Sequence, residues 1–491
     1  MIVKTTLDEG VENAPEIPQL IGGQWVTAQS GEWTAVENPG RKQTLAFVPA
    51  SDERDVDTAV MAATEAFKAW SCLPARDRGR MLIAIGDKIA ENQEELARLI
   101  ASETGNAIRT QARGEAASGA DIFHFYGESA SQQKGESLPF GDSLLSYTIR
   151  EPIGVVGGIV PWNAPVQLSS LKIAMALMTG NTLVLKTADL APLAVLKMAE
   201  WANEILPAGV LNVLCGSGSK AGSALARHPK VSKLTFTGST GVGRDILAAA
   251  ADRIVPVTLE LGGKSPAIVF PDSNDAETVQ NVINGMRFAR QGQSCTAGSR
   301  LYLHESVFDS FVEKLVAALG ELRVGDPLDE ASDIGSIVSE RQHSTVLSYI
   351  TGAIEAGGKV VTAGLSSPAD RDGYYVAPTV ITGAQADWAV TREEVFGPVL
   401  VVIPWSDEDE VIEWANDSDY GLAAYVFTKD ISTALRTVNR LEAGWIQVNR
   451  GGGQLPGMSY GGNKQSGLGR EYSVDGALES FTNVKSITIA I

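Results

Sequence analysis

Short apolar runs that alternate with amphipathic segments predict an α/β protein, built on parallel sheets with helices laid over them. The stretches 153–160, 182–185, 210–214 and 234–236 are apolar, brief and spaced widely enough for a helix between each pair. Strands hidden on both faces read as continuous apolar runs rather than as an alternation. A second block of the same texture starts at 266–270, includes 399–403 and runs to about Val448. At 491 residues the chain is long for one core, so two or more domains are expected.

Each element has a local reason. Residues 1 to about 20 are mixed, carry Pro15 and Pro18, and read as a loose arm. Ile21-Gly22-Gly23-Gln24-Trp25-Val26 reads as a hairpin. Asp55 can cap a helix whose apolar positions, Val56, Val60, Ala63, Phe67 and Trp70, fall on one face. Further helix is expected from Arg76 to about Ser102, with Leu82, Ile85, Ile89, Leu96, Leu99 and Ile100 inward. A turn at 161–165 leads into a helix through Met178, another helix is expected over 191–205, and one more opens at Val242. The end, 484–491, alternates as a strand with one buried face would, and it has no evident partner nearby.

The bulk numbers exclude more than they assign. A formal charge of −19 disfavours nucleic acid and anionic membrane surfaces as partners, because both need a basic patch. Cys72, Cys215 and Cys295 are far apart, with no C-x-x-C pair and no metal-ligand spacing, so no metal site is expected. That pattern fits a reducing compartment. The first ten residues lack the apolar core of a signal peptide, and no run reaches the length of a membrane span; a cytoplasmic location is the expectation.

The chemistry gathers around one thiol. Cys295 stands in Gly292-Gln293-Ser294-Cys295-Thr296-Ala297-Gly298, thirty-five residues after Glu260 in Leu259-Glu260-Leu261-Gly262-Gly263-Lys264-Ser265-Pro266. A thiol can capture a substrate covalently, and a carboxylate can activate the water that releases it. A lone cysteine is more often a small buried hydrophobe. Here the flanking motifs overturn that reading. Both segments resemble the nucleophile and general-base signatures of the aldehyde dehydrogenase superfamily. Pro161-Trp162-Asn163-Ala164-Pro165, Val184-Leu185-Lys186-Thr187-Ala188-Asp189, Phe236-Thr237-Gly238-Ser239-Thr240-Gly241-Val242-Gly243, Glu393-Glu394-Val395-Phe396-Gly397-Pro398 and the tail 461–471 follow the family's order. The similarity runs from about Ile21 onward.

The resemblance implies a Rossmann-like parallel-sheet cofactor domain (1–130 and 152–262), an α/β catalytic domain (263–448) and a small β bridging element (131–151 and 472–491) used for oligomerisation. Within that element the terminal strand joins the segment near Ser143 to Arg150, and a homodimer or homotetramer follows. The segment 449–471 returns along the substrate tunnel. Gly238 to Gly243 does not match the G-x-G-x-x-G fingerprint, so the glycine-rich turn alone leaves its ligand open. By similarity to the family's G-S-T-x-x-G it binds NAD(P), with Ser239 at the pyrophosphate and Gly218 and Gly222 on the adenosine side. Lys186 and Asp189 then meet the adenine ribose, while Trp162, Glu394 and Phe396 belong to the nicotinamide end. Thr187 and Asp189 depart from the usual K-P-x-E. A carboxylate there repels a 2′-phosphate, so NAD is favoured and NADP stays possible.

In the implied reaction the Cys295 thiolate adds to an aldehyde, Asn163 and the Cys295 backbone N–H receive the negative oxygen, and Glu260 activates water against the thioester. Acylating relatives that pass the thioester to coenzyme A lack this glutamate, so release as a carboxylic acid is expected. Lys264 is left with either a structural or a functional role. Ala164, Leu168, Leu171, Gln454 and Tyr460 are the candidate pocket residues. Small residues on both walls, Ala164 and Gly451 to Gly453, imply a wide, mostly apolar pocket for an aromatic or long-chain aldehyde. Arg450 either greets a substrate anion or forms a salt bridge. The competing functions are esterase-type acyl transfer at the same site, a coenzyme A-acylating semialdehyde dehydrogenase, and, least favoured, a non-catalytic binding protein.

Overall fold

The computed structural model describes residues 14–362 and 372–491. Most of the loose arm expected over 1 to about 20 lies outside them. From Pro15 the chain is already docked, because the Phe47 N–H donates to the Pro15 carbonyl and the Ile17 N–H to the Phe47 carbonyl. The expected hairpin forms between Gln19–Ile21 and Gln24–Val26.

One sheet has eight strands in the order Gln24–Val26, Gln19–Ile21, Leu211–Leu214, Thr182–Lys186, Val155–Ile159, Val231–Thr237, Val257–Glu260 and Gly467–Leu468. The five from Leu211–Leu214 to Val257–Glu260 are parallel, and their near-continuous burial explains the unbroken apolar runs. Val155–Ile159 sits in the middle. The next two strands in sequence extend to one side, and Val231–Thr237 returns to the other. The strand order therefore reverses beside Val155–Ile159, where open α/β sheets leave a crevice beyond the carboxyl ends of the strands. Gly467–Leu468, from the far end of the chain, closes this sheet's edge against Val257–Glu260.

The other large sheet runs Lys359–Val360, Thr379–Thr382, Val399–Trp405, Arg300–His304, Pro266–Val269, Ala423–Phe427 and Trp445–Val448, parallel except at Lys359–Val360. Only Leu261 to Ser265 separate the last parallel strand of one sheet from the first of the other. That short link sets Glu260 between them.

The helices follow the periodicity, with two corrections. Glu53–Trp70 is capped by Asp52, not Asp55; Asp55 is the reciprocal partner in the capping box. Val56, Val60, Ala63 and Trp70 are buried as their spacing predicts, and Phe67 only partly so. The helix expected over 76–102 is two, Ala75–Glu91 and Gln93–Thr104, broken at Asn92, and all six apolar positions are buried. Thr482–Ala490 pairs with Leu144–Pro152, which also pairs with Ser137–Pro139. The one buried face expected of that terminal strand is not found within the chain, since only Thr482 is buried. Its neighbouring helix Val474–Phe481 sinks Ala477, Leu478 and Phe481 into the core beneath the first sheet.

Candidate active site

Three chain turns converge on the crevice. The first follows Val155–Ile159, where Pro165 at the first helical position starts Pro165–Met178 without losing a needed N–H. Asn163, just before it, is buried; its amide nitrogen donates to the Gln293 carbonyl at 3.0 Å, and its backbone carbonyl accepts from Asn106 at 3.3 Å. An amide nitrogen has two protons, so one donor remains for the cavity that Asn163 lines.

The second turn carries the nucleophile. Gln291 and Gly292 both adopt positive φ, 52° and 65°, and the loop then doubles back to present Cys295, half-buried. A Cβ on Gly263 would collide with the Cys295 carbonyl, and one on Gly262 with the Glu394 carboxylate. These two glycines admit the protein's own backbone and side chain, rather than a substrate. The Cys295 Sγ lies 3.7 Å from the Tyr460 hydroxyl. No acceptor among the described residues takes the Cys295 N–H. Burial pushes the thiol up to about 11, and the Tyr460 hydroxyl opposes that shift.

The third turn ends Val257–Glu260. Glu260 is 3% exposed, and neither carboxylate oxygen has a hydrogen-bond partner. Burial and then the Glu471 carboxylate hold its carboxyl well above the usual range, while Lys172 and Arg470 pull the other way. Behind it lies a buried ion pair absent from the sequence reading: Lys172 donates to Glu471 at 3.0 Å and to the Thr235 hydroxyl at 2.9 Å. Lysine, glutamate and threonine come from three distant segments, and no spacing in the sequence signals them.

Asn163, Glu260 and Cys295 stand where two cavities meet. One, of about 500 Å³, is lined by Trp162, Gly238, Ser239, Glu394 and Phe396. Trp162 and Phe396 meet edge to face at 5.3 Å, with Phe396 in the left-handed region at φ 54°. Glu394 accepts from the Gly263 N–H at 2.8 Å, and burial raises it to about 7. Ser239 caps the helix Thr240–Ala251 by accepting from the Val242 N–H, leaving exposed backbone at the helix start for an anion. A Cβ on Gly238 would meet the Phe236 ring and one on Gly243 the Leu261 side chain, so either side chain would have to shift. Gly218 is open on all sides, and Gly222 is in loose contact with Ile159. Lys186 and Asp189 lie outside this cavity's lining, joined to each other at 2.7 Å.

The other cavity, of about 320 Å³, contains Ala164, Leu168, Gln454 and Tyr460, as the sequence predicts. Leu171 does not line it. Three residues beyond Leu168, it has turned into the helix's buried side and is fully enclosed in the core. Arg450 is exposed and outside the lining. The mostly apolar wall expected from the small residues is not found: Gln111, Glu115, Gln167, Arg287, Arg290 and Tyr472 face this space. They rise from segments that the motif reading passed over. Among the described residues there is no His, Cys, Asp or Glu cluster able to hold a metal, and no helix long and apolar enough to cross a membrane.

Comparison with known proteins shows the family and the fold. The aldehyde dehydrogenase family model matches residues 25–487. The chain is 42% identical over 482 residues to phenylacetaldehyde dehydrogenase of Pseudomonas fluorescens, covering 96% of this chain and 95% of that protein. Its fold matches the NAD+ complex of an aldehyde dehydrogenase from Bacillus cereus with a TM-score of 0.94, at 37% identity and 97% coverage of both chains. An NADP-dependent enzyme of E. coli matches with a TM-score of 0.94 at 35% identity, covering 100% of each chain.

Proposed function

The chain belongs to the aldehyde dehydrogenase family, and from that premise we propose that it oxidises a bulky aldehyde, aromatic or long-chain, to the carboxylic acid with NAD, by covalent catalysis at Cys295. The observation that carries this reading is the junction itself: a thiol, an amide donor and a buried carboxyl share the boundary of two cavities. One is sized for a substrate. The other has an aromatic pair, a carboxyl and a helix start suited to a dinucleotide.

Trp162, Ser239, Glu394 and Phe396 would hold NAD in the larger cavity, with Lys186, Asp189, Gly218, Gly222, Gly238 and Gly243 toward its adenosine end. When bound, NAD supplies the acceptor for the hydride that leaves the substrate carbon. The chain's own residues do the rest. Cys295 loses its proton to water, and the thiolate sulfur bonds to the carbonyl carbon as the C=O π pair moves onto the substrate oxygen, which becomes negative. The spare amide proton of Asn163 and the unpaired Cys295 N–H aim at that charge; removing one such donor typically costs about 2.7–4 kcal/mol of transition-state stabilisation. Loss of hydride leaves a thioester on Cys295. Glu260, once ionised, takes a proton from water, the resulting hydroxide attacks the thioester carbon, and the sulfur departs as thiolate. A carboxyl raised by burial is the stronger base once it ionises.

Residues 1–130 and 152–262 form the cofactor unit in this reading, 263–448 the catalytic unit, and 449–471 the tunnel wall carrying Gln454 and Tyr460. The segments 131–151 and 472–491 form the oligomerisation element of a homodimer or homotetramer. Exposed Leu145 and Ile489, paired across the three-stranded sheet, with exposed Leu138 and Val484 elsewhere on it, support that assignment, since large exposed apolar side chains mark interfaces. The proposed compartment is the cytoplasm, which keeps the thiol reduced.

The test is NADH formation from a panel of aldehydes by the native chain and by Cys295→Ala. The variant should lose oxidation while still binding NAD, and Cys215→Ala, whose thiol is fully buried and raised to about 12, should stay active. Near-normal turnover by Cys295→Ala would sink the mechanism.

A further inference from the structure

The substrate cavity carries charges of both signs. Glu115, Glu260 and Glu471 line it, and so do Arg287 and Arg290. Both arginines also line a neighbouring cavity of about 520 Å³, where Arg109 is paired with Asp333, so Arg287 and Arg290 stand between the two cavities. In a chain of net charge −19, cationic side chains on a cavity wall have to be placed there locally.

The two guanidiniums differ in how they are satisfied. Arg290 lies 3.6 Å from the Glu115 carboxylate, and the Gln111 amide presents its oxygen to it. Arg287 donates to the Gly452 carbonyl, and among the described residues no carboxylate lies within ion-pair distance of it. Glu115 is itself short of partners: one oxygen accepts from the Val166 N–H, and the other accepts nothing. Burial pushes Glu115 up to about 7, so near neutrality the cluster's one carboxylate is only partly ionised. Among the described residues the two cations have one carboxylate, Glu115, within ion-pair distance.

The backbone holds them in this arrangement at a cost. Arg287 and Gln291 flank the short helical turn Phe288–Arg290 with φ of 60° and 52°, a region where residues other than glycine are strained. Strain next to a reacting centre persists where surrounding structure enforces it, and here it carries Arg287 to the cavity wall.

We propose that Arg287, with Arg290 beside it, receives the carboxylate of a substrate whose other end is the reacting aldehyde. The substrate class is then an ω-carboxylated aldehyde, bulky or long enough to span the cavity from the arginines to Cys295. This deepens the aldehyde-oxidising reading and rests on it. A planar guanidinium matches a carboxylate with two parallel hydrogen bonds, which a neutral tail of the same size cannot make. The neutral tail would also leave Arg287 without an anion, so discrimination comes from both sides.

The test compares ω-oxo carboxylates with the alkanals of equal chain length, and 4-carboxybenzaldehyde with 4-methylbenzaldehyde, by kcat/KM in the presence of NAD. The native protein should favour the carboxylated member of at least one pair. Arg287→Gln should cut that preference about tenfold or more, mainly through KM, and Arg287→Lys should restore part of it. Preference for the neutral member in every pair, or a ratio that Arg287→Gln leaves within about twofold, overturns the proposal. A separate arm needs no turnover: adipate binding to the protein with NAD, measured by calorimetry, should weaken in Arg287→Gln, and equal binding by both proteins counts against the site. If no aldehyde yields NADH while adipate still binds through Arg287, the oxidation reading fails and the anion site stands.

Discussion

The Tyr460 hydroxyl lies 3.7 Å from the Cys295 sulfur, and both residues line the substrate cavity. Burial, together with the nearby Cys295 and Glu260, holds the tyrosine well above its ordinary range, so it stays protonated and acts as a donor. A donor aimed at sulfur favours the thiolate over the thiol.

Tyr460→Phe therefore removes the hydrogen bond that holds Cys295 down. The thiol already sits at about 11, so below that pH the reactive thiolate is a minority, and a further rise shrinks it. Alkylation by iodoacetamide should slow roughly threefold to tenfold at neutral pH, and its pH profile should move to higher pH. An unchanged profile would mean that Tyr460 only packs.

Glu260→Gln should separate the two halves of the reaction. Rapid mixing should show a stoichiometric burst of NADH and then a stall, with the thioester detectable by mass spectrometry. In the native protein, deacylation should rise with pH, because a carboxyl held high by burial and Glu471 ionises only as pH climbs. Loss of the burst itself would place Glu260 earlier, at activation of the thiol.

Asp189→Ala tests the cofactor. Asp189 accepts from Lys186 at 2.7 Å, so its removal takes away a negative charge and frees an ammonium that can meet a phosphate. NAD should be preferred by the native chain, and the variant should narrow that preference mainly through KM for NADP. Equal use of both cofactors by the native protein would show that Asp189 leaves room for the phosphate.

Ala164→Phe tests the pocket's breadth. Ala164 is 2% exposed, begins the helix Pro165–Met178 and lines the substrate cavity. The larger ring should depress kcat/KM for a bulky aldehyde much more than for acetaldehyde. A short substrate forgoes burial worth about 0.8 kcal/mol for each missing methylene, so acetaldehyde should be the poorer substrate before the change. Acetaldehyde as the best native substrate would contradict the wide pocket.

The α/β class and most helix faces were legible from residue order alone, because they depend on local rules: period, proline at a helix start, glycine where the chain turns tightly. Cys295, Glu260 and Asn163 were singled out by the resemblance of their motifs to a known family, not by such rules. Leu171 shows where such rules stop, since rotation about the helix axis carried it into the core. The polar character of the substrate wall was illegible for a different reason. Ala164 and Gly453 leave space, but what fills it comes from Gln111, Glu115, Arg287, Arg290 and Tyr472, on segments separated by as many as several hundred residues. Lys172 and Glu471 meet across 299 positions. A sequence states how each segment can fold, whereas the charge and shape of a cavity depend on which distant side chains the packed sheets bring to its wall.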